Sequence, residues 1–74
     1  MALGEKALAC LRIAEVHSTD PAWDDRYDLA CRQYSEKAVI RKMEELCDRG
    51  YIECGVSVRT GWLTDKGAQA LCEN

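Results

Sequence analysis

The sequence contains no phenylalanine, one proline and one histidine, and its aromatic share of 7% rests on two tryptophans and three tyrosines. Rings this scarce are needed inside a small domain, because aromatic side chains bury the largest apolar areas. The lone histidine, His17, has no second imidazole to join it in a metal or proton-transfer cluster. Long apolar runs are missing as well. The longest, residues 7–11, falls far short of the roughly 20 residues that span a bilayer. Glu5 and Lys6 precede that run and no cleavage site follows it, which argues against a signal peptide. The expectation is a cytoplasmic protein with no membrane partner.

Also missing is any close pair among the five cysteines, Cys10, Cys31, Cys47, Cys54 and Cys72. An odd count without paired spacing is a poor disulfide framework, and a zinc site usually shows Cys-x-x-Cys or a cysteine–histidine cluster. The nearest two, Cys47 and Cys54, are too far apart for that signature. The cysteines therefore read as small buried hydrophobes in a reducing compartment, with no metal and no cofactor. No glycine-rich phosphate loop or Ser-His-Asp set can be assembled. The neighbouring carboxylates Asp24-Asp25 and Glu44-Glu45 read as solvated helix faces. These absences point to a binding module rather than an enzyme.

Positive charge is in short supply overall. The formal net charge is −3, which counts against a nucleic-acid binder because phosphate contacts supply much of such affinity. The distribution is more favourable than the sum. Residues 1–28 carry three positive and six negative side chains, whereas residues 29–43 carry Arg32, Lys37, Arg41 and Lys42 against Glu36 alone. Glu44, Glu45 and Asp48 then cancel this basic stretch.

What is present is an ordinary globular balance, 47% hydrophobic and 31% charged, sufficient for a single domain over residues 1–74. Leu3, Ala7, Leu11 and Ala14, with Cys10 beside them, mark a first helix over about residues 2–17 with one buried stripe. The small outer residues Ala2 and Ala9 leave room for a partner helix or are indifferent surface. Asp20 then Pro21 form an N-cap and a first helical position. Trp23, Tyr27, Ala30 and Tyr34 repeat at helical spacing across a second helix, roughly 21–32, as a core stripe rather than a base-stacking platform. Ser35 caps a third helix, about 36–49, with Val39, Met43 and Leu46 inward. Gly50 is placed to end it in the left-handed conformation. Residues 51–56 and 61–64 are strand-like and predict a hairpin tipped by Arg59, with a bulge or close backbone approach at Gly55. Thr64 then caps a short final helix over 65–72, with Ala68 and Leu71 facing inward.

This is an α+β order of three helices, a hairpin and a short final helix. Within it, the run from Val39 to Glu53 resembles the "V-x-R-x-φ-x-x-L-x-x-x-G-φ-φ-E" segment of MarR-like and PadR-like winged helix-turn-helix regulators, φ being apolar or aromatic. Leu63-Thr64-Asp65-Lys66-Gly67 is similar to the "L-T-x-K-G" segment that closes the wing in the same families. The resemblance covers roughly residues 29–71. It departs from the families' pattern in the turn before Ser35, Cys31-Arg32-Gln33-Tyr34, which has no glycine. The resemblance implies a three-helix winged helix-turn-helix with the hairpin as wing, the third helix lying in the major groove of double-stranded DNA. Carried over by position, DNA contacts fall on Ser35, Lys37, Ile40, Arg41 and Lys42, with Arg59 at the wing. Arginine at position 41 suits bidentate pairing with guanine or phosphate.

Two functions follow. One is a compact DNA-binding transcription regulator of the kind encoded by phages and mobile elements. The other is a winged helix that binds a protein partner and no DNA, since fold alone does not fix function. The basic stretch favours the first; the net charge and the acids Asp20, Asp24, Asp25 and Asp28 favour the second. A homodimer is open under either reading.

Overall fold

Local side-chain chemistry sets most of the element boundaries. The computed structural model describes residues 3–55 and 61–73. In chain order they form α1 (Glu5–Ala14), α2 (Pro21–Tyr34), α3 (Glu36–Asp48), β1 (Ile52–Glu53), β2 (Trp62–Leu63) and α4 (Asp65–Glu73). Four helices and a two-stranded antiparallel hairpin make this an α+β fold, with extents of 26 × 23 × 19 Å. No helix among the described residues is long and apolar enough to cross a membrane.

The capping residues act as their chemistry requires. Asp20 Oδ1 accepts the Ala22 amide at 2.9 Å, with Pro21 opening α2. Ser35 Oγ accepts the Ala38 amide at 3.3 Å, and Thr64 Oγ1 accepts the Gly67 amide at 3.1 Å. Gly50 has φ 83°, and across it the Tyr51 amide reaches the Leu46 carbonyl at 2.9 Å while the Gly50 amide reaches Cys47 at 3.1 Å. That pair of bonds is a Schellman closure, which satisfies α3's last carbonyls and turns the chain into β1. α1 has no such devices. Gly4 offers it no side-chain cap, and the helix is shorter at both ends than its apolar spacing predicts.

The core is built around α1, which packs against α2 and α3 as well as α4 and β2. It therefore buries more than the expected single stripe: Ile13 joins Ala7, Cys10, Leu11 and Ala14. Trp23, Ala30, Val39, Met43, Leu46 and Ile52 complete the core. Trp23 stacks on Tyr27 with centroids 4.9 Å apart, so the aromatic stripe of α2 does serve packing. In the hairpin Ile52 pairs with Leu63 and Glu53 with Trp62. The expected hairpin tip falls in residues 56–60, outside the described residues. A close backbone approach lies at Gly61, where a Cβ would meet the Glu53 carbonyl oxygen at 2.7 Å; the surroundings of Gly55 border residues outside those described.

Two expectations change. On α4 the buried residue is Gly67, with Ala70 and Leu71 half-buried, while Ala68 is exposed. The helix is rotated because Gly67 alone is small enough to sit against the Tyr51 carbonyl. The cysteines are not all free: Cys47 and Cys54 form a disulfide with Cα atoms 5.9 Å apart, a separation suited to such a bond. It joins the last turn of α3 to the residue after β1. Cys10 is buried, Cys31 half-buried and Cys72 exposed.

Candidate nucleic-acid interface

The residues expected to meet DNA cluster at the start of α3, and the joint before it is unusually tight. Ser35 alone separates α2 from α3. Its amide closes α2 by donating to the Cys31 carbonyl at 2.9 Å, and its carbonyl accepts from Val39 at 3.1 Å to begin α3. To serve both helices it adopts φ 98° and ψ 150°, a region that normally requires glycine. The turn expected over residues 31–34 does not form: these residues are the last turn of α2, which runs to Tyr34 and not to about 32. Ser35 is exposed, and its hydroxyl hydrogen remains available to a ligand while the oxygen caps the helix.

Beyond the cap, α3 presents an outward stripe at positions 37, 41, 44 and 48, all exposed. Its first half is cationic, Lys37 and Arg41; its second half is acidic, Glu44 and Asp48. The cations stand at the end where the helix dipole is already positive. The one acid in the first turn, Glu36, is turned toward α2, where its Oε2 accepts the Tyr27 hydroxyl at 3.2 Å. Burial, reinforced by Cys31 and by this bond, holds the Tyr27 phenol well above its ordinary range, so the hydroxyl stays a donor.

Most other cations are occupied internally. Arg26 pairs with Glu15 at 3.1 Å, Arg32 with Asp28 at 3.6 Å, and Arg49 with Glu45 at 4.0 Å. Lys66 Nζ donates to the Arg49 carbonyl at 2.8 Å and lies 4.5 Å from the centre of the Tyr51 ring. Among the described residues, neither Lys37 nor Arg41 has an ion pair.

The five expected contact residues among those described do not form one surface. Ser35, Lys37 and Arg41 share the exposed N-terminal portion of α3. Ile40 is half-buried beside them. Lys42 points elsewhere: its side chain is half-buried and bound to Glu45 in a groove formed with Leu3, Gly4 and Ala7. It holds the Glu45 carboxyl below the usual carboxylate range. One residue along a helix turns a side chain by about 100°, enough to move Lys42 off the Arg41 face. Arg59 lies outside the described residues.

Spacing alone did not single out two exposed apolar side chains, Leu29 on α2 and Trp62 on β2. Leu29 falls off the Trp23–Tyr27–Ala30–Tyr34 stripe, and that offset was its only signal. Trp62 alternates with the half-buried Leu63, as strand geometry requires. Among the described residues, no group of three or more histidine, cysteine or acidic side chains is placed to hold a metal ion. The chain matches no family model, no curated protein and no solved structure.

Proposed function

We propose that this chain is a winged-helix DNA-binding protein, a transcription regulator that seats the N-terminal half of α3 in the major groove. The observation that carries the reading is the pair Lys37 and Arg41, exposed, unpaired among the described residues, and placed at the positive end of α3. Recognition helices of this class touch base edges chiefly through their N-terminal residues. The acidic second half of the stripe then stays clear of the phosphates. Ser35 contributes a hydroxyl to the backbone, and the hairpin acts as wing, with Trp62 on its outer side and with Arg59, outside the described residues, as its expected contact. The proposed chemistry is binding, with no catalytic step and no cofactor.

A second reading is a protein-binding winged helix. It is favoured by the exposed acids Asp20, Asp24, Asp25 and Asp28 along α2 and by the net charge of −3. Fluorescence anisotropy of a labelled random duplex separates the two. The DNA reading expects binding at about 50 mM salt that weakens steeply by about 200 mM. Absence of binding at the lower salt overturns it and leaves the protein-binding reading.

A further inference from the structure

A groove of about 520 Å³ runs between α1, α2 and α4 on the molecule's surface. Its apolar lining comes from Ala9, Leu29, Ala30 and Leu71. Leu29 is the most exposed large hydrophobic side chain described, with 66% of its surface accessible. A protruding leucine beside an apolar groove is a knob and a hole on one face, the arrangement a two-fold symmetric contact requires. Ala9 keeps the α1 side of the groove shallow enough for a helix to approach.

The charges around the groove complement themselves under the same symmetry. α1 and α2 run antiparallel here: Arg26, early in α2, binds the Arg12 carbonyl late in α1 and Glu15 at its C-cap, whereas Gln33, late in α2, lies beside Glu5 and Ala9. A second α2 laid antiparallel across the first at Leu29 places residue 25 of one copy opposite residue 33 of the other. Asp25 is exposed and has no ion pair among the described residues. It would meet the Gln33 amide and the neighbouring Arg12, whose guanidinium likewise has no ion pair among the described residues. Symmetry makes the contact twice. Arg26 and Arg32 would also approach one another, but Glu15 and Asp28 already neutralise them.

We propose that a second copy of this chain docks on this face, as a two-fold dimer with α2 packed antiparallel on its mate through Leu29. This does not rest on the DNA-binding reading. The molecule exposes 4848 Å², so a standard interface of about 800 Å² per partner would take roughly a sixth of it. One groove and one knob give less than that, and the dimer is accordingly weak, with a Kd of about 10–100 µM.

Sedimentation equilibrium from about 5 to about 500 µM tests this. The expected mass climbs from the 8.3 kDa of one chain toward twice that value as concentration rises. Leu29→Glu is expected to remain monomeric throughout, and circular dichroism checks that it folds. Asp25→Arg and Arg12→Glu should each weaken self-association about tenfold or more, while their equimolar mixture associates as a charge-swapped heterodimer. That swap carries the test should Leu29→Glu fail to fold. The proposal is overturned if the wild type stays monomeric at the highest concentration. It is equally overturned if Leu29→Glu dimerises like the wild type, if the swap restores nothing, or if the added mass is a Cys72-linked species that vanishes in the Cys72→Ser variant.

Discussion

Gly67 lies directly against the carbonyl of Tyr51, so that a Cβ at position 67 would overlap that oxygen and stand 2.8 Å from Leu63 Cδ1. The contact fixes α4 over the hairpin. Thr64 reinforces it: its amide reaches the Tyr51 carbonyl at 3.2 Å, and its hydroxyl lies 2.7 Å from the Gly50 carbonyl. Gly67→Ala should therefore destabilise the protein by about 2 kcal/mol or more, because the obstructing atom is backbone and cannot swing aside. Urea unfolding measures this. A midpoint within error of the wild type would mean that α4 does not sit this close.

Ser35 should respond in the opposite direction. At φ 98° and ψ 150° its backbone is strained by roughly 1–3 kcal/mol. Glycine relieves that strain, forfeits a few tenths of a kcal/mol in capping, and adds freedom to the unfolded chain. The expected net gain for Ser35→Gly is about 0.5–1 kcal/mol. Ser35→Ala keeps the strain and loses the cap, so it should cost about 1 kcal/mol. The predicted order of denaturation midpoints is glycine, serine, alanine. Glycine below serine contradicts the strained joint.

What the sequence made legible follows from locality. The caps at Asp20, Ser35 and Thr64 and the left-handed Gly50 depend on atoms within a few residues, and each is found where its chemistry places it. The hairpin pairing follows from the strands' apolar and aromatic content. The features that spacing did not give depend on packing between elements or on a reversal of the chain. Ile13 is buried because α1 is packed on several sides. The inward face of α4 is dictated by a carbonyl in another element. The half-burial of Lys42 comes from the groove it shares with the start of α1, where it binds Glu45. The Cys47–Cys54 disulfide spans seven residues of sequence, and only the Schellman reversal at Gly50 brings its ends together. For the candidate interface, the basic stretch was visible in sequence. Which of its cations share a face was settled by helix rotation.

The buried thiol of Cys10 predicts a pH dependence. Its sulfur donates to the Val39 carbonyl at 3.7 Å, and burial pushes its pKa up from 9.0 to about 11, with Lys42 and Lys6 opposing. The unfolded thiol loses its proton first, so this contribution is intact below about pH 9 and is lost as pH rises toward 11. The loss amounts to about 2–3 kcal/mol over that window. Tyr27, also raised, adds to it at the alkaline end. Stability measured by urea unfolding from pH 8 to pH 11 should fall more steeply for the wild type than for Cys10→Ala. Parallel curves would show that Cys10 ionises as freely in the folded protein as in the unfolded chain.

The central claim is that Lys37 and Arg41, at the head of α3, meet the phosphates and base edges of a duplex. The most direct measurement is the slope of log affinity against log salt for the wild type, Lys37→Ala and Arg41→Ala on the same duplex. Each phosphate contact contributes about −0.9 to that slope. The predicted result is a wild-type slope of about −3, reduced by about 0.9 in Lys37→Ala. Arg41→Ala should lose about 1–3 kcal/mol, chiefly on a preferred sequence if it reads a base. Duplex binding with an unchanged slope in both variants, or no duplex binding by the wild type at low salt, would contradict the account.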